Sequence, residues 1–171
     1  MKIKRIHIMG CPGTGKSTIV KELASKMKCK FYHLDDLLWK RKYDIKRDHE
    51  ELIEKLKTII KKEKWVIEGT SRKWVNNSFE KADLILFLDL PIKVITFRLI
   101  KRYLHRKYIK KEKNMETLID NLKLAKVSHK IRSETEKDIN SFKSILNKHK
   151  GKTLHLKTQK EIDLFIENFK Y

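Results

Sequence analysis

The chain has 171 residues, of which 40% are hydrophobic and 37% charged, and its formal net charge is +20. This length predicts one domain, residues 1–171, that buries a core without needing disulfides. The longest apolar run, Leu84–Leu88, is far shorter than the ~20 residues that cross a bilayer, so we expect no membrane association. The basic start lacks the apolar centre of a signal peptide, and two cysteines without metal-ligand spacing favour a reducing, cytoplasmic setting.

Alternating apolar runs and helical periodicities predict strands and helices in turn along the chain. The predicted strands are residues 3–9, 31–34, 65–68, 84–89 and 153–157. The predicted helices begin near Gly15, Asp48 and Pro91 and cover 115–132 and 134–149, and a last helix has Ile162, Phe165, Ile166 and Phe169 on one face. Residues 37–47 are a mixed aromatic and basic segment with neither pattern. The alternation is typical of an α/β fold in which helices cover both faces of a five-stranded parallel sheet.

A glycine-rich segment joins the first predicted strand to the first predicted helix. It reads Gly10, Cys11, Pro12, Gly13, Thr14, Gly15, Lys16, Ser17, followed by Thr18. This matches G-x-x-x-x-G-K-[ST] in full, a P-loop whose backbone N–H groups and helix N-terminus bind nucleotide phosphates. In such a loop Lys16 binds β- and γ-phosphate oxygens and Ser17 offers its hydroxyl to Mg²⁺. We therefore predict an ATP and Mg²⁺ site on a three-layer P-loop NTPase fold, with Cys11 as a small filler of the loop.

The second carboxylate that a P-loop uses to hold magnesium has two candidates at strand ends. Glu68 is followed by Gly69 and lies near Arg72, whereas Asp89 precedes Pro91. A strand-end carboxylate without a functional role would cap a helix or pair with a basic residue. For Asp89 both interpretations stay open, and for Glu68 its neighbours favour magnesium binding.

Several motifs together resemble the adenylate-kinase-like branch of P-loop kinases. They are the P-loop, Glu68-Gly69-x-x-Arg72, Asp89-x-Pro91, and the pair Arg98 and Arg102. The resemblance implies that Glu68 helps to position magnesium, while Gly69 and Arg72 bind the acceptor. It also implies that Arg98 and Arg102, four residues apart on one helix face, clamp ATP and neutralise charge during transfer. A short lid, about residues 103–113, follows them.

A closer resemblance is to the topology modulation proteins of the FlaR type, and it covers nearly the whole chain. It rests on residues 34–40, 65–69 and 79–91. It implies the fold and the ATP site and leaves the phosphate acceptor open. Glu68 departs from the adenylate-kinase pattern, because it replaces an aspartate and reaches one methylene further. The acceptor-binding segment, about residues 35–64, is short as well, which argues against an AMP-specific enzyme.

Residues after the second strand are candidates for the acceptor side. Asp35 and Asp36 end that strand, and the resemblance to related small-molecule kinases implies that a carboxylate there binds an acceptor hydroxyl or removes its proton. The resemblance favours Asp35 for this role. Trp39 and Tyr43 are candidates for stacking on a nucleobase, with a place in the core as the alternative.

The remaining candidates are mostly basic. Arg41 and Arg47 would bind an acceptor phosphate if they converge with Arg72, and alone they are interpreted as solvated surface. Arg132 is a candidate for contacting the transferring phosphoryl group, because a positive charge offsets the negative charge of the transition state. His129 is interpreted as a surface histidine. The loop residues that the resemblance places beside adenine are Thr158, Gln159 and Lys160.

Positive charge is concentrated in residues 92–132, where 13 lysines and arginines stand against 3 acidic residues. Such a field attracts phosphate-bearing partners without choosing among them. The leading prediction is a Mg-ATP-dependent phosphotransferase, a small kinase acting on a nucleoside- or nucleotide-type acceptor. The alternative is an ATP-binding protein that associates with nucleic acid through residues 92–132, or a nucleic-acid end kinase. The sequence contains no helix-turn-helix or RNP motif, which favours the first.

Overall fold

The computed structural model describes residues 2–41, 45–69, 73–111, 117–133 and 142–171, and the side chains of residues 41, 73 and 131–133 lie outside that description. The strands are β1 (Arg5–Gly10), β2 (Phe31–His33), β3 (Trp39–Arg41), β4 (Ile45–Lys46), β5 (Trp65–Glu68), β6 (Leu84–Leu88) and β7 (Thr153–Leu156). The α-helices are α1 (Lys16–Met27), α2 (Leu34–Leu38), α3 (His49–Ile60), α4 (Asn76–Lys81), α5 (Ile92–Leu104), α6 (Leu118–Ser133), α7 (Phe142–Lys148) and α8 (Gln159–Asn168). A π-helix, His105–Ile109, continues α5, and two 3-10 turns cover Lys73–Val75 and Lys150–Lys152.

Five strands form one parallel sheet in the order β2-β5-β1-β6-β7. The P-loop strand β1 is central, with Ile8 opposite Glu68 on β5 and Gly10 opposite Leu88 on β6. Because all five strands run the same way, their carboxyl ends meet at one edge, which is where ligands bind in such sheets. The predicted five-stranded parallel α/β sheet is confirmed.

The core forms where apolar strands meet the apolar stripes of the helices. Strand β5 is buried throughout, and β6 is buried after the half-buried Leu84, as continuous apolar runs predict for strands covered on both faces. Helix α1 buries the residues that share its predicted stripe, which are Ile19, Val20, Leu23, Ala24 and Met27. Burying each of the larger side chains contributes about 1.5–3 kcal/mol. The P-loop is therefore connected to a strand and a helix that are both packed in the hydrophobic core.

Two regions differ from the sequence-based assignment. The mixed segment 37–47 contains the end of α2 and a short antiparallel pair, β3 with β4. Strands β3 and β4 are short and mostly basic, so they contain no apolar run that would predict a strand. The described part of the predicted lid, residues 103–111, is helical as far as Ile109, because α5 continues into the π-helix. Across the ranges that the structure describes, no helix is both long and apolar enough to span a bilayer.

Candidate active site

The P-loop turns from β1 into α1 on glycines with positive φ. Gly13 has φ +83° and Gly15 has φ +94°, a backbone conformation that residues with a Cβ rarely adopt. Gly15 is the N-cap of α1 and has no side chain to cap the first N–H groups of the helix. The buried Thr14 holds the loop from within, since its Oγ1 donates to the Cys11 carbonyl at 2.8 Å. The positive end of α1 therefore points into the loop, as an anion site requires.

Lys16 lies among carboxylates at the start of α1. Its Nζ donates to the Cys11 carbonyl at 3.0 Å. Burial lowers the pKa of Lys16 below its usual value, while the negative charges of Glu68 and Asp35 raise it in opposition. Of the two aspartates that follow β2, Asp35 is thus the one whose charge acts on the Lys16 ammonium.

Ser17 and Glu68 offer a pair of oxygens beside the loop. Ser17 Oγ lies 3.5 Å from Glu68 Oε1. Glu68 ends β5, the strand next to β1, and is only 8% exposed. A hydroxyl and a carboxylate are ligands that Mg²⁺ prefers, and proteins usually complete its shell with substrate phosphates and water. The donor set therefore fits a magnesium ion bound together with a nucleotide.

His33 belongs to this group, although the sequence analysis did not select it. Its Nδ1 lies 2.6 Å from Glu68 Oε1. The two residues are register partners where β2 pairs with β5. The sequence does indicate that both residues lie at the ends of predicted strands. It does not show that these two strands are neighbours in the sheet.

Arg98 and Arg102 line one cavity of about 490 Å³ next to the P-loop, together with parts of α1, α5 and α8. Arg98 donates to the Thr14 carbonyl at 3.2 Å and to the side-chain oxygen of Gln159. Arg102 donates to Oδ1 of the buried Asn121 at 2.9 Å. Helix α5 thus brings both guanidinium groups to the opening of the phosphate loop.

Helix α6 packs against the P-loop. The thiol of the buried Cys11 donates to the Ser128 carbonyl at 3.6 Å, and Ser128 is itself buried. Arg132 lies in α6 one turn after Ser128, and its side chain is outside the described set. His129 is exposed.

The predicted acceptor carboxylates lie in a helix and not in a strand. Asp35 and Asp36 occupy the first turn of α2 and are both exposed. The chain turns into this helix at the buried Leu34, which packs on Gly69. A Cβ on Gly69 would lie 2.6 Å from Leu34 Cβ, and Gly69 has φ +155°. Gly69, predicted to bind substrate, therefore has a packing role at the base of α2.

The other acceptor candidates are partly described. Arg47 Nη1 donates to Glu51 Oε1 at 2.7 Å, and its buried Nε has no hydrogen-bond partner among the described residues. Glu51 also pairs with Lys40 at 3.2 Å. Trp39 is half-buried, with Lys46 Nζ 5.4 Å from its ring centroid. The candidates outside the described residues or side chains are Arg41, Tyr43 and Arg72.

Further candidates lie at the other end of the sheet, in the segments that follow β6 and β7. Asp89 Oδ2 lies 2.9 Å from His155 Nε2, so this carboxylate pairs with a histidine. Thr158 caps α8, and its side chain accepts the N–H of Glu161. The helix therefore uses the Thr158 hydroxyl, whereas the neighbouring Gln159 lines the cavity beside Arg98. Lys160 is exposed.

Sequence comparisons give one family and one curated relative. The family model described as AAA domain matches residues 6–122. The uncharacterized protein YqaC of Bacillus subtilis (strain 168) is 34% identical over 106 residues, which cover 60% of this chain and 58% of that protein. The match thus spans less than two thirds of that relative's length.

Solved kinase structures resemble the whole chain. Shikimate kinase from Acinetobacter baumannii in complex with shikimate has a TM-score of 0.55 at 15% identity, covering 95% of this chain and 89% of that one. A gluconokinase from Sinorhizobium meliloti 1021 has a TM-score of 0.55 at 14% identity, covering 96% and 87%. Shikimate kinase from Bacteroides thetaiotaomicron has a TM-score of 0.52 at 16% identity, covering 97% and 95%. At these identities the likeness establishes the fold, a three-layer α/β P-loop NTPase.

Proposed function

Since the chain belongs to the family described as AAA domain and has a P-loop NTPase fold, we propose that it is a Mg-ATP-dependent phosphotransferase. Its acceptor is a small nucleoside- or nucleotide-type molecule with a free hydroxyl or phosphate. The geometry beside the P-loop carries this proposal, because Ser17 Oγ lies 3.5 Å from the carboxylate of the buried Glu68, and Asp35 follows Leu34, which packs on Gly69 next to Glu68. One carboxylate serves the donor side and the other the acceptor side.

The donor phosphates are held by the P-loop and by α5. The backbone N–H groups of the loop and Lys16 bind the β- and γ-phosphates. Arg98 donates to two neutral oxygens, the Thr14 carbonyl and the Gln159 amide, so its positive charge is available to a phosphate. Arg102 extends the same wall of the cavity. Preorganised positive charge of this kind stabilises the charge that develops during phosphoryl transfer.

Magnesium bound by Ser17 and Glu68 would neutralise charge on the β- and γ-phosphates. Asp35 supplies the base: it accepts the proton of the acceptor hydroxyl while that oxygen bonds to the γ-phosphorus. The bond from the γ-phosphorus to the bridging oxygen breaks, and ADP leaves with the bond's electron pair. The place of Asp35 in an exposed first turn leaves room for an acceptor to approach it.

We assign the whole chain, residues 1–171, to one kinase domain. Its acceptor segment is residues 35–64, which include α2, the β3–β4 pair and α3, and its lid is residues 103–113. Trp39, Arg47 and Arg72 remain proposed acceptor ligands. Arg47 supports this assignment through its buried, unpartnered Nε within the described residues. Arg132 remains the proposed contact to the transferring group, since it follows the part of α6 that touches the P-loop.

The test is phosphoryl transfer from ATP labelled at the γ-phosphate, with Mg²⁺. The acceptors are nucleosides, nucleoside monophosphates, small polyols and hydroxy acids, and 5′-hydroxyl oligonucleotides. We expect label on a small acceptor, with a rate at least about 100-fold lower in Lys16→Ala because a positive charge is removed from the transition state. Lys21→Ala, an exposed position of α1, is the matched control and should be unaffected. ATP binding without transfer to any acceptor would contradict the proposal.

A second candidate function is nucleic-acid association or end phosphorylation, in line with the resemblance to topology modulation proteins. Between Ile92 and Lys111 the chain has eight lysines and arginines and no acidic residue. Phe97 and Tyr108 are 66% and 64% exposed there. Basic residues interleaved with exposed aromatic side chains favour single-stranded nucleic acid. Binding that weakens steeply with salt, with label on oligonucleotides alone, would favour this candidate over the first.

A further inference from the structure

Glu68 is an unusual choice for the magnesium side of this P-loop, because it is one methylene longer than the aspartate of the resembled family. The extra torsion gives a free glutamate more positions to occupy and more rotamer entropy to lose on ordering. In the structure Glu68 is nevertheless fixed, 8% exposed, with Oε1 between Ser17 Oγ at 3.5 Å and His33 Nδ1 at 2.6 Å.

We propose that His33 is a positioning residue that holds the Glu68 carboxylate within reach of Ser17, and that it thereby sets the affinity of the site for magnesium with ATP. This inference rests on the proposed function and deepens it. An ionised carboxylate only accepts hydrogen bonds, so the hydrogen of the pair is on His33 Nδ1. Charge-assisted bonds of this length are among the stronger ones in proteins.

The sheet and a neighbouring ring fix the position of the imidazole. His33 and Glu68 are register partners on adjacent parallel strands, so the backbone sets the spacing of the two side chains. Phe31 is two residues earlier on β2 and therefore on the same face of the strand. Its ring meets the His33 ring edge-on, with centroids 5.3 Å apart and an interplanar angle of 73°. The donor therefore reaches Glu68 from a fixed direction.

The same residue joins the donor side to the acceptor side. His33 is the N-cap residue of α2, the helix whose first turn carries Asp35, but its side chain makes no cap hydrogen bond. The imidazole can therefore donate its hydrogen bond to Glu68, while the backbone of His33 forms the N-terminus of α2. A change of side chain at this position should alter the magnesium site and leave the start of α2 in place.

The test compares three substitutions of His33. His33→Leu removes the donor. His33→Asn places an amide N–H₂ at the position of Nδ1, and His33→Gln places it at the position of Nε2, away from Glu68. The readout is the binding of a fluorescent ATP analogue during a Mg²⁺ titration, repeated in EDTA. A melting curve verifies that each variant is folded.

The matched control is His155→Leu, which breaks the other histidine–carboxylate pair at the same sheet edge. We expect the Mg²⁺ midpoint to rise about 10-fold in His33→Leu and His33→Gln, the range seen when a metal-binding carboxylate loses its supporting hydrogen bond. His33→Asn and His155→Leu should stay near the wild-type midpoint. Nucleotide binding in EDTA should be the same in all five proteins.

Two results would overturn the inference alone. One is an unchanged Mg²⁺ midpoint in His33→Gln, which keeps a polar side chain and so tests the claim even if His33→Leu does not fold. The other is an equal shift in His33→Asn, His33→Gln and His155→Leu, which would indicate a general loosening of the sheet edge. A wild-type protein whose nucleotide binding ignores Mg²⁺ would overturn the proposed function and this inference together.

Discussion

Two histidine–carboxylate pairs flank the P-loop strand, and they share their chemistry but not their surroundings. On one side His33 of β2 binds Glu68 of β5 at 2.6 Å. On the other, His155 of β7 binds Asp89, just after β6, at 2.9 Å. Both pairs lie at the carboxyl edge of the sheet, which is where ligands bind in parallel α/β sheets.

The neighbours of each pair make the difference. Glu68 faces Ser17 and acts on Lys16, the two P-loop side chains that contact phosphate and metal in such loops. Asp89 is tied to β7, because its N–H donates to the Leu156 carbonyl at 2.8 Å. The His155 ring packs on Phe87 at 4.7 Å. We infer that the surroundings of each carboxylate set its role: Glu68 lies beside the P-loop side chains, and the Asp89 pair joins β6 to β7.

The largest expected effect comes from neutralising each carboxylate in turn. Glu68→Gln should lower Mg-ATP-dependent transfer by about 100-fold, because it removes the charge that holds the metal. Asp89→Asn should leave the rate within about two-fold, since the partly exposed pair of Asp89 and His155 links β6 to β7. Steady-state rates at saturating Mg²⁺ decide this. If both variants lose transfer activity equally, Glu68 and Asp89 do not differ in the way described above.

The sequence predicts what is local and misses what depends on strand order. The P-loop, the buried strands and the i, i+4 pair Arg98 and Arg102 follow from contiguous patterns. His33 could not be selected, because its role depends on β2 lying next to β5. The β3–β4 pair was missed because its two strands are short and mostly basic, without an apolar run. The capping role of Thr158 was missed, although Glu161 three residues later is the sequence signature of the capping box that uses it.

A second comparison uses the glycine beside Glu68. Gly69→Ala should lower the free energy of unfolding by about 2–3 kcal/mol, because the new Cβ overlaps Leu34 at a positive φ. Gly151→Ala is the matched control, since an added Cβ there meets nothing within 4 Å, and should change stability little. Denaturant unfolding measures both. A neutral Gly69→Ala would mean that α2 does not pack on this glycine.

A third histidine, His7, lies on β1 between the two pairs. Burial lowers its pKa to about 3, opposed by the backbone of Gly69. In the unfolded chain His7 takes up a proton near pH 6.5, whereas in the folded chain it stays neutral until about pH 3. The free energy of unfolding therefore falls as the pH drops from about 6.5 towards 3, and His7 leaves it constant above pH 6.5. Acidification from pH 7 to 4.5 should therefore cost the wild type about 2 kcal/mol more than His7→Phe.

Denaturant unfolding at each pH measures this difference, with His129→Phe, at an exposed position, as the control. The control should follow the wild type at every pH. If His7→Phe loses stability on acidification as steeply as the wild type does, then His7 is not the group that resists protonation in the folded chain.

The smallest expected effect is the stability that the Asp89 pair contributes. His155 is 35% exposed, so removing it in His155→Leu should cost no more than about 1 kcal/mol. Thermal unfolding at pH 6 and pH 8 is the measurement. A loss of several kcal/mol would show that this pair is a major anchor of β7 and not a partly solvated link.

The central claim is that the β5 side of the P-loop holds Mg-ATP. Titration calorimetry of ATP against the wild type, with Mg²⁺ and with EDTA, tests it most directly, with Lys16→Ala and Asp89→Asn alongside. The account predicts one ATP per chain, bound more tightly with Mg²⁺, lost in Lys16→Ala and retained in Asp89→Asn. ATP binding that is indifferent to both Mg²⁺ and Lys16→Ala, or no binding at all, would contradict it.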